Sequence, residues 1–298
     1  MEIGRLLTAM VTPMDDDGRV DYAQARRLAQ ALMDSGSDGI VVAGTTGESP
    51  TLSHEEKLRL IREVKEAMAG RGAVIAGSAT YRTEESIELS REAERAGADG
   101  LLLVTPYYHR PTQEGLYRHF RAIAEAVSVP CILYNVPGRT GVNLAAETAL
   151  RLSQVPNIVG VKEASGDLAQ AARIIEGAPP GFRVWSGDDA FTLPLLAVGG
   201  YGVIAVASHL VGLQMKQMIE SFLAGAVEEA ARLHRRLLSL MQTLMTAAPN
   251  PIPVKYALNQ VGFKVGKPRP PLTEPDAAAA ERIMAEVAKV PLDLKVPV

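Results

Sequence analysis

The chain has 298 residues, a formal net charge of −3, 47 % hydrophobic residues and 22 % charged residues. Acidic and basic residues are interspersed, so the chain lacks the basic patch or stripe that is typical of nucleic-acid-binding proteins. No apolar run approaches the roughly 18 residues of a membrane span, and the first residues lack the pattern of a signal peptide. We therefore expect a cytoplasmic protein with neither nucleic acid nor membrane as a partner.

Eight short runs rich in apolar and β-branched residues recur along the chain, and each is predicted to be a strand. They are residues 6–11, 40–43, 73–76, 101–104, 131–134, 158–162, 182–185 and 202–205. Amphipathic helical stretches separate most of them, which favours a parallel sheet with helices outside. Eight such units predict an α/β fold of the (β/α)8 or TIM-barrel type.

Several helix ends can be placed from single residues. Two pairs have the spacing of a capping box, and three glycines stand where helices should end. These are Asp21 with Gln24, Ser53 with Glu56, and Gly36, Gly70 and Gly97.

After the eighth predicted strand the pattern becomes purely helical. We predict helices at residues 213–224, 226–246, 254–261 and 276–290, separated by proline-rich breaks. The sequence therefore predicts a catalytic barrel over residues 1–224 and a C-terminal helical extension over residues 225–298.

Lys162 ends the sixth predicted strand, the otherwise apolar run of residues 158–162. If this lysine is shielded from water its pKa falls, and the neutral amine can attack a carbonyl group to form a Schiff base. The alternative is a lysine that has passed the strand end and reached solvent. Tyr134 ends the preceding strand, so both side chains are predicted on the same rim of the barrel, where active sites of this fold lie.

Two loops at this rim could bind a carboxylate. Residues 44–49 place two glycines around Thr45 and Thr46, an arrangement that can direct N–H groups and hydroxyls at an anion. The loop after the fifth strand carries Arg139, whose guanidinium suits bidentate carboxylate binding. A tight turn without a ligand and a solvated arginine are the alternatives. The histidines, the single Cys131 and the carboxylates show no metal-ligand spacing, so we predict no metal and no cofactor, and a core thiol at Cys131.

Five stretches of the chain resemble motifs of the dihydrodipicolinate synthase family, which belongs to the class I pyruvate aldolases together with N-acetylneuraminate lyase. The stretches are Gly44-Thr45-Thr46-Gly47-Glu48, Thr105-Pro106-Tyr107-Tyr108, Tyr134-Asn135-Val136-Pro137-Gly138-Arg139-Thr140-Gly141, Gly160-Val161-Lys162-Glu163 and Asn250-Pro251-Ile252-Pro253-Val254-Lys255. They extend from the barrel into the extension, so the resemblance covers essentially the whole chain. Arg139 and the last stretch favour this family over its sister aldolases.

The resemblance implies a lyase that condenses pyruvate with aspartate 4-semialdehyde to 4-hydroxy-tetrahydrodipicolinate, in lysine and diaminopimelate biosynthesis, without a cofactor. Lys162 would form the Schiff base, and the Thr45–Thr46 turn would hold the pyruvate carboxylate. Tyr134 would transfer protons through Thr46 to Tyr108, which a neighbouring subunit donates in the family. The assembly implied is a homotetramer built as a dimer of dimers.

Further positions are implied by the same resemblance. Arg139 would bind the semialdehyde carboxylate, and the backbone at Gly187 and Ile204 would line the cavity. Seven positions match a pocket at which lysine inhibits many family members: Ser49, Pro50, His54, Lys57, Tyr81, Glu85 and Tyr107. Lys57 and Tyr81 depart from the residues of lysine-sensitive members, so we expect weak or absent inhibition.

Two other functions stay open at this point. A sister aldolase that cleaves sialic acid or a 2-keto-3-deoxy sugar acid would differ in what its second-substrate pocket accepts. A catalytically silent barrel that binds pyruvate as a sensor would be expected to lack Lys162 or Tyr134, and both are present.

Overall fold

The computed structural model describes residues 3–296 and contains a closed barrel of eight parallel strands in sequential order. The strands are β1 (Leu6–Ala9), β2 (Gly39–Val42), β3 (Ala73–Gly77), β4 (Gly100–Val104), β5 (Cys131–Asn135), β6 (Ile158–Glu163), β7 (Arg183–Ser186) and β8 (Gly202–Ala205). Each lies within two residues of its predicted bounds, so the (β/α)8 prediction is confirmed.

Twelve helices accompany the strands within residues 3–296. Those around the barrel are α1 (Tyr22–Asp34), α2 (His54–Met68), α3 (Thr83–Arg95), α4 (Gln113–Ala124), α5 (Pro137–Thr140), α6 (Ala146–Leu152), α7 (Leu168–Gly177), α8 (Thr192–Ala197) and α9 (Ser208–Leu223). The C-terminal helices are α10 (Val227–Thr246), α11 (Ile252–Gln260) and α12 (Ala277–Val287). Short 3-10 turns occupy Ser49–Thr51 and Asp189–Phe191.

Helix α9 differs from the prediction, because it begins at Ser208 rather than at residue 213. Its first turn ends in non-helical backbone at Val211, so two helical segments meet at a kink there. The sequence signal covered only the second segment. We keep the boundary between barrel and extension at residues 224 and 225 as a proposal, since Gly225 has a φ of 81° in the turn between α9 and α10.

Of the two predicted capping boxes, the structure contains one completely and one in part. At α2 the capping box is complete, because the Glu56 N–H donates to Ser53 Oγ and the Ser53 N–H donates to Glu56 Oε2. At α1 only half of it forms: the Gln24 N–H donates to Asp21 Oδ1, but the Gln24 side chain donates to the Lys264 carbonyl instead. Gly36, Gly70 and Gly97 all have positive φ just beyond their helices, as predicted.

The interior of the barrel is filled rather than open. Trp185 is fully buried there, and its indole N–H donates to the Gly4 carbonyl at the amino ends of the strands. Gly160 on the adjacent strand makes room for the ring, because a Cβ at this position would lie 2.6 Å from the indole. Among the described residues, packed side chains thus fill the barrel interior, and the carboxyl ends of the strands are where active sites of this fold lie.

No helix within residues 3–296 is long and apolar enough to cross a membrane. Cys131 is buried in β5, and burial raises the pKa of its thiol to about 12. The thiol therefore stays protonated at neutral pH, which agrees with the predicted core role.

Candidate active site

Lys162 and Tyr134 meet at the carboxyl ends of β6 and β5. The two residues are paired in register, and each side chain is about nineteen-twentieths buried, with 5 % and 6 % of its surface exposed. Lys162 Nζ lies 4.3 Å from the centroid of the Tyr134 ring. The lysine is thus held against the phenol instead of extending into solvent, which was the alternative that the sequence left open.

Gly187 gives Lys162 the space for its stem. A Cβ at this position would lie 3.1 Å from Lys162 Cε and 2.6 Å from the Cβ of Ala164. The Gly187 N–H donates to the Glu163 carbonyl at 2.7 Å, which fixes the backbone beside the lysine. Ile204, the other backbone position implied by the resemblance, is buried in the inner layer of the barrel.

A cavity of about 250 Å³ opens at this rim of the barrel. Tyr134 forms part of its wall, and Lys162 lies next to it against the Tyr134 ring. The other polar residues that line it are Thr45, Ser49, Lys57, Thr80, Tyr107, Arg139 and Thr140. The cavity thus brings together a phenol, two cationic side chains and several hydroxyls, which suits a small anionic substrate.

The two threonines of the turn at residues 44–49 face different ways. Thr45 lines the cavity, whereas Thr46 is buried and its hydroxyl accepts a hydrogen bond from Asn250 Nδ2 at 2.9 Å. Thr45 therefore lies at the candidate substrate cavity, whereas Thr46 contacts the C-terminal extension. A sequence with two adjacent threonines cannot distinguish them, because the dihedral angles of the turn decide which one faces the substrate.

Arg139 lies on α5, a single helical turn within the loop that the sequence predicted after β5. This residue is exposed and lines the cavity together with Tyr134. A guanidinium here can reach a carboxylate on a ligand that enters from solvent.

Tyr108 has a different environment from the rest of the predicted site. It is 92 % exposed and does not line the cavity of its own chain. Its backbone has a φ of 77°, a left-handed conformation that side chains with a Cβ rarely adopt, and its N–H donates to the Thr140 carbonyl. The loop therefore holds the phenol away from the cavity of its own chain.

The sequence did not predict a polar cluster directly behind Lys162 and Tyr134. Asn135 Nδ2 donates to both carboxylate oxygens of the buried Glu163, at 3.2 and 3.1 Å. Gln170 Nε2 and the Ser165 N–H donate to the same carboxylate. Asn135 and Glu163 are also paired in register, so they brace β5 against β6 one residue beyond Tyr134 and Lys162. Asn135 and Glu163 each directly follow a predicted strand, and this pair of polar residues was the sequence signal that could have indicated the cluster.

A second buried carboxylate holds the end of β8. Asp189 accepts hydrogen bonds from the N–H groups of Val206 and Ala207, and burial raises its pKa to about 6. These hydrogen bonds anchor the backbone that follows Ile204, at the carboxyl end of β8.

The positions matched to a lysine-binding pocket are only partly together. Ser49, Pro50, Lys57 and Tyr107 line the cavity described above. Burial lowers the pKa of Lys57, and the negative charge of Glu85 acts in the opposite direction. Tyr81 packs edge-on against Tyr107, with 5.2 Å between ring centroids. His54 Nε2 forms a hydrogen-bond contact with the Glu92 carboxylate and does not line the cavity.

Comparison with known proteins identifies relatives of the whole chain. Residues 2–290 match the model of the dihydrodipicolinate synthetase family. A 4-hydroxy-tetrahydrodipicolinate synthase from Dehalococcoides mccartyi is 56 % identical over 295 residues, which is 99 % of each chain. Another from Symbiobacterium thermophilum is 60 % identical over 287 residues, covering 95 % of this chain and 97 % of the relative.

Solved structures that are similar to this chain belong to the same family as its sequence relatives. The dihydrodipicolinate synthase of Bacillus anthracis superposes with a TM-score of 0.95 at 44 % identity, covering 98 % of this chain and 99 % of that one. The enzyme of Cyanidioschyzon merolae, solved with lysine bound, has a TM-score of 0.95 at 49 % identity, covering 96 % and 98 % of the two chains.

Proposed function

The chain belongs to the dihydrodipicolinate synthetase family, and we propose that the cavity beside Lys162 is where it condenses pyruvate with aspartate 4-semialdehyde. The product of this condensation is 4-hydroxy-tetrahydrodipicolinate, an intermediate of lysine and diaminopimelate biosynthesis. The observation that carries the proposed site is the buried contact between Lys162 and Tyr134 at the ends of adjacent strands.

In the proposed mechanism the neutral Lys162 amine adds to the keto carbon of pyruvate. The resulting carbinolamine loses water to give an imine, which withdraws electrons from the methyl group. Loss of a methyl proton then gives an enamine, whose carbon adds to the aldehyde carbon while the aldehyde oxygen gains a proton. The amine of the second substrate finally attacks the imine carbon, which closes the ring and releases Lys162.

Tyr134 is proposed to move these protons, because its phenol lies against the amine that carries the intermediate. A positioned acid and base typically contributes 10²- to 10⁴-fold to a rate. Thr45 lines the same cavity, and its hydroxyl is proposed to connect Tyr134 with Tyr108 of a neighbouring subunit. The N–H groups and hydroxyls of the turn at residues 44–49 are proposed to hold the pyruvate carboxylate.

The function is tested by incubating the protein with pyruvate and each of several aldehydes. We expect consumption of aspartate 4-semialdehyde to be much faster than that of the aldehydes formed when sialic acid or a 2-keto-3-deoxy sugar acid is cleaved. Preference for a sugar aldehyde would identify a sister aldolase. Binding of pyruvate without turnover of any aldehyde would identify a silent barrel.

Arg139→Ala is expected to impair use of the semialdehyde more than formation of the pyruvate imine, because only the second substrate's carboxylate is proposed to meet this guanidinium. Loss of one charge-assisted contact corresponds to a drop of roughly tenfold or more in kcat/KM for the semialdehyde. Steady-state kinetics with each substrate varied in turn measures both effects. Arg118→Ala on the outer helix α4 is a matched control, and equal loss of both steps in Arg139→Ala would contradict the assignment.

Free lysine is expected to inhibit the enzyme weakly or not at all. The Lys57 ammonium lines the cavity, so a cationic ligand there meets a like charge. Even about 1 to 2 kcal/mol of repulsion weakens binding roughly tenfold or more. Lys57→Gln removes the charge and should strengthen inhibition, whereas Lys65→Gln at the opposite end of the barrel should not. Inhibition of the unmodified enzyme by submillimolar lysine would show that the prediction is wrong.

A further inference from the structure

The C-terminal extension reaches the proposed pyruvate-binding turn through a buried ion pair. Lys255 on α11 and Glu48 in the turn have fully buried side chains, and Lys255 Nζ lies 2.7 Å from Glu48 Oε1. More than two hundred residues separate the two in sequence, so the contact forms only once the extension is packed on the barrel.

All three N–H groups of the Lys255 ammonium have a hydrogen-bond acceptor. Besides Glu48, its Nζ donates to the carbonyl oxygens of Thr12 and Lys267, each at 3.0 Å. Burial lowers the pKa of Lys255, and the carboxylate of Glu48 opposes this effect. An ammonium with three acceptors is satisfied without solvent and has no lone pair available for a carbonyl substrate, so Lys255 serves the structure of the turn rather than the covalent chemistry.

Glu48 needs this support because of its backbone. Its φ of 58° and ψ of 34° are left-handed, a conformation that favours glycine or asparagine. The second carboxylate oxygen accepts a hydrogen bond from the Arg269 N–H at 2.8 Å. A glutamate in this strained position is thus fixed at both oxygens, each by a residue of the extension.

Two further contacts hold the same turn from the same side. Asn250 Nδ2 donates to Thr46 Oγ1, and Thr12, whose carbonyl accepts from Lys255, donates its own hydroxyl to the Gly47 carbonyl at 2.7 Å. Thr45, between these anchored residues and the strand, is left facing the cavity.

We propose that Lys255, Glu48 and Asn250 are positioning residues that hold the turn at residues 44–49 in the conformation that binds pyruvate beside Lys162. This inference rests on the proposed function, because it takes the turn to be the carboxylate site. None of the three touches the reacting atoms. They act by fixing where Thr45 and the N–H groups of the turn point, and a small displacement of such groups lowers binding and rate steeply.

The test measures imine formation directly. Each protein is incubated with increasing pyruvate and borohydride, and the half-saturating pyruvate concentration for labelling of Lys162 is determined by mass spectrometry. For Lys255→Met, Glu48→Gln and Asn250→Ala we expect this concentration to rise by about tenfold or more. Hydrogen exchange of the peptide covering residues 44–51 should accelerate in the same variants.

Lys65→Met is the matched control. Lys65 forms an ion pair with Asp99 at 2.6 Å, and Asp99 accepts a hydrogen bond from the Val74 N–H near the start of β3, at the far end of the barrel. Its loss costs an ion pair but should change neither the half-saturating pyruvate concentration nor exchange in residues 44–51. If Lys255→Met does not fold, the milder Glu48→Gln and Asn250→Ala variants decide the question.

The outcomes separate the two proposals. An unmodified protein that is not labelled at Lys162 overturns the proposed function, and this inference with it. If Lys162 is labelled but the folded variants keep the half-saturating pyruvate concentration and the hydrogen exchange of the unmodified protein, the positioning role alone is overturned. An equal rise in the Lys65→Met control would show a general loss of stability and would likewise overturn it.

Discussion

Borohydride reduction in the presence of pyruvate is expected to inactivate the enzyme and to leave a reduced pyruvyl group on Lys162. The reason is that reduction converts the imine into a stable secondary amine, which cannot release the lysine for another turnover. Mass spectrometry of peptides locates the added group. Lys162→Ala should lack both the label and activity, so this single change is expected to have the largest effect of any substitution in the chain.

Lys255 provides an internal control for this experiment. It is at least as deeply buried as Lys162, but its ammonium donates to three oxygen acceptors, whereas Lys162 packs against a phenol ring beside the cavity. The label should therefore distinguish burial from reactivity. Labelling at Lys255 or at a surface lysine, with Lys162 unmodified, would contradict the proposed mechanism.

Mixing inactive Tyr108→Phe and Lys162→Ala chains is expected to restore activity. If Tyr108 enters the site of a neighbouring subunit, a mixed dimer contains one site with both residues intact. With random pairing, roughly a quarter of all sites would then be complete. The 92 % exposure and left-handed backbone of Tyr108 support this expectation, because its own cavity does not contain the phenol.

The measurement is activity after the two chains have been unfolded or dissociated together and reassembled, with mixed assemblies verified by native mass. Arg139→Ala mixed with Lys162→Ala is the matched control, since both of those residues belong to the site of one chain and no mixed dimer can combine them. Failure of the Tyr108 mixture to regain activity, despite mixed assembly, would place the tyrosine outside catalysis or within its own subunit.

The barrel could be predicted from the sequence because its signals are local. Each strand is a short apolar run, and the helix starts and ends carry single-residue markers such as Ser53 with Glu56 or Gly97. Once eight units are counted, the fold places the ends of β5 and β6 side by side. The contact between Tyr134 and Lys162 then follows from strand order, and the structure contains it.

Other parts of the site depend on geometry that a sequence does not contain. Which of Thr45 and Thr46 lines the cavity depends on the dihedral angles of one turn, and both residues have the same side chain. The contacts of Asn250 and Lys255 with that turn depend on how α11 packs on the rim. The resemblance marked residues 250–255 as informative, but it did not indicate which atoms they hold.

The fluorescence of Trp185 can report on the packing of side chains inside the barrel. Trp185 is the single tryptophan of the chain, it is fully buried, and it is paired in register with Lys162 on the adjacent strand. Its emission spectrum therefore reports the packing of the inner layer, whereas circular dichroism is dominated by the helices outside. A red shift that precedes the loss of helical signal during heating would show that the barrel interior admits water before the outer shell melts.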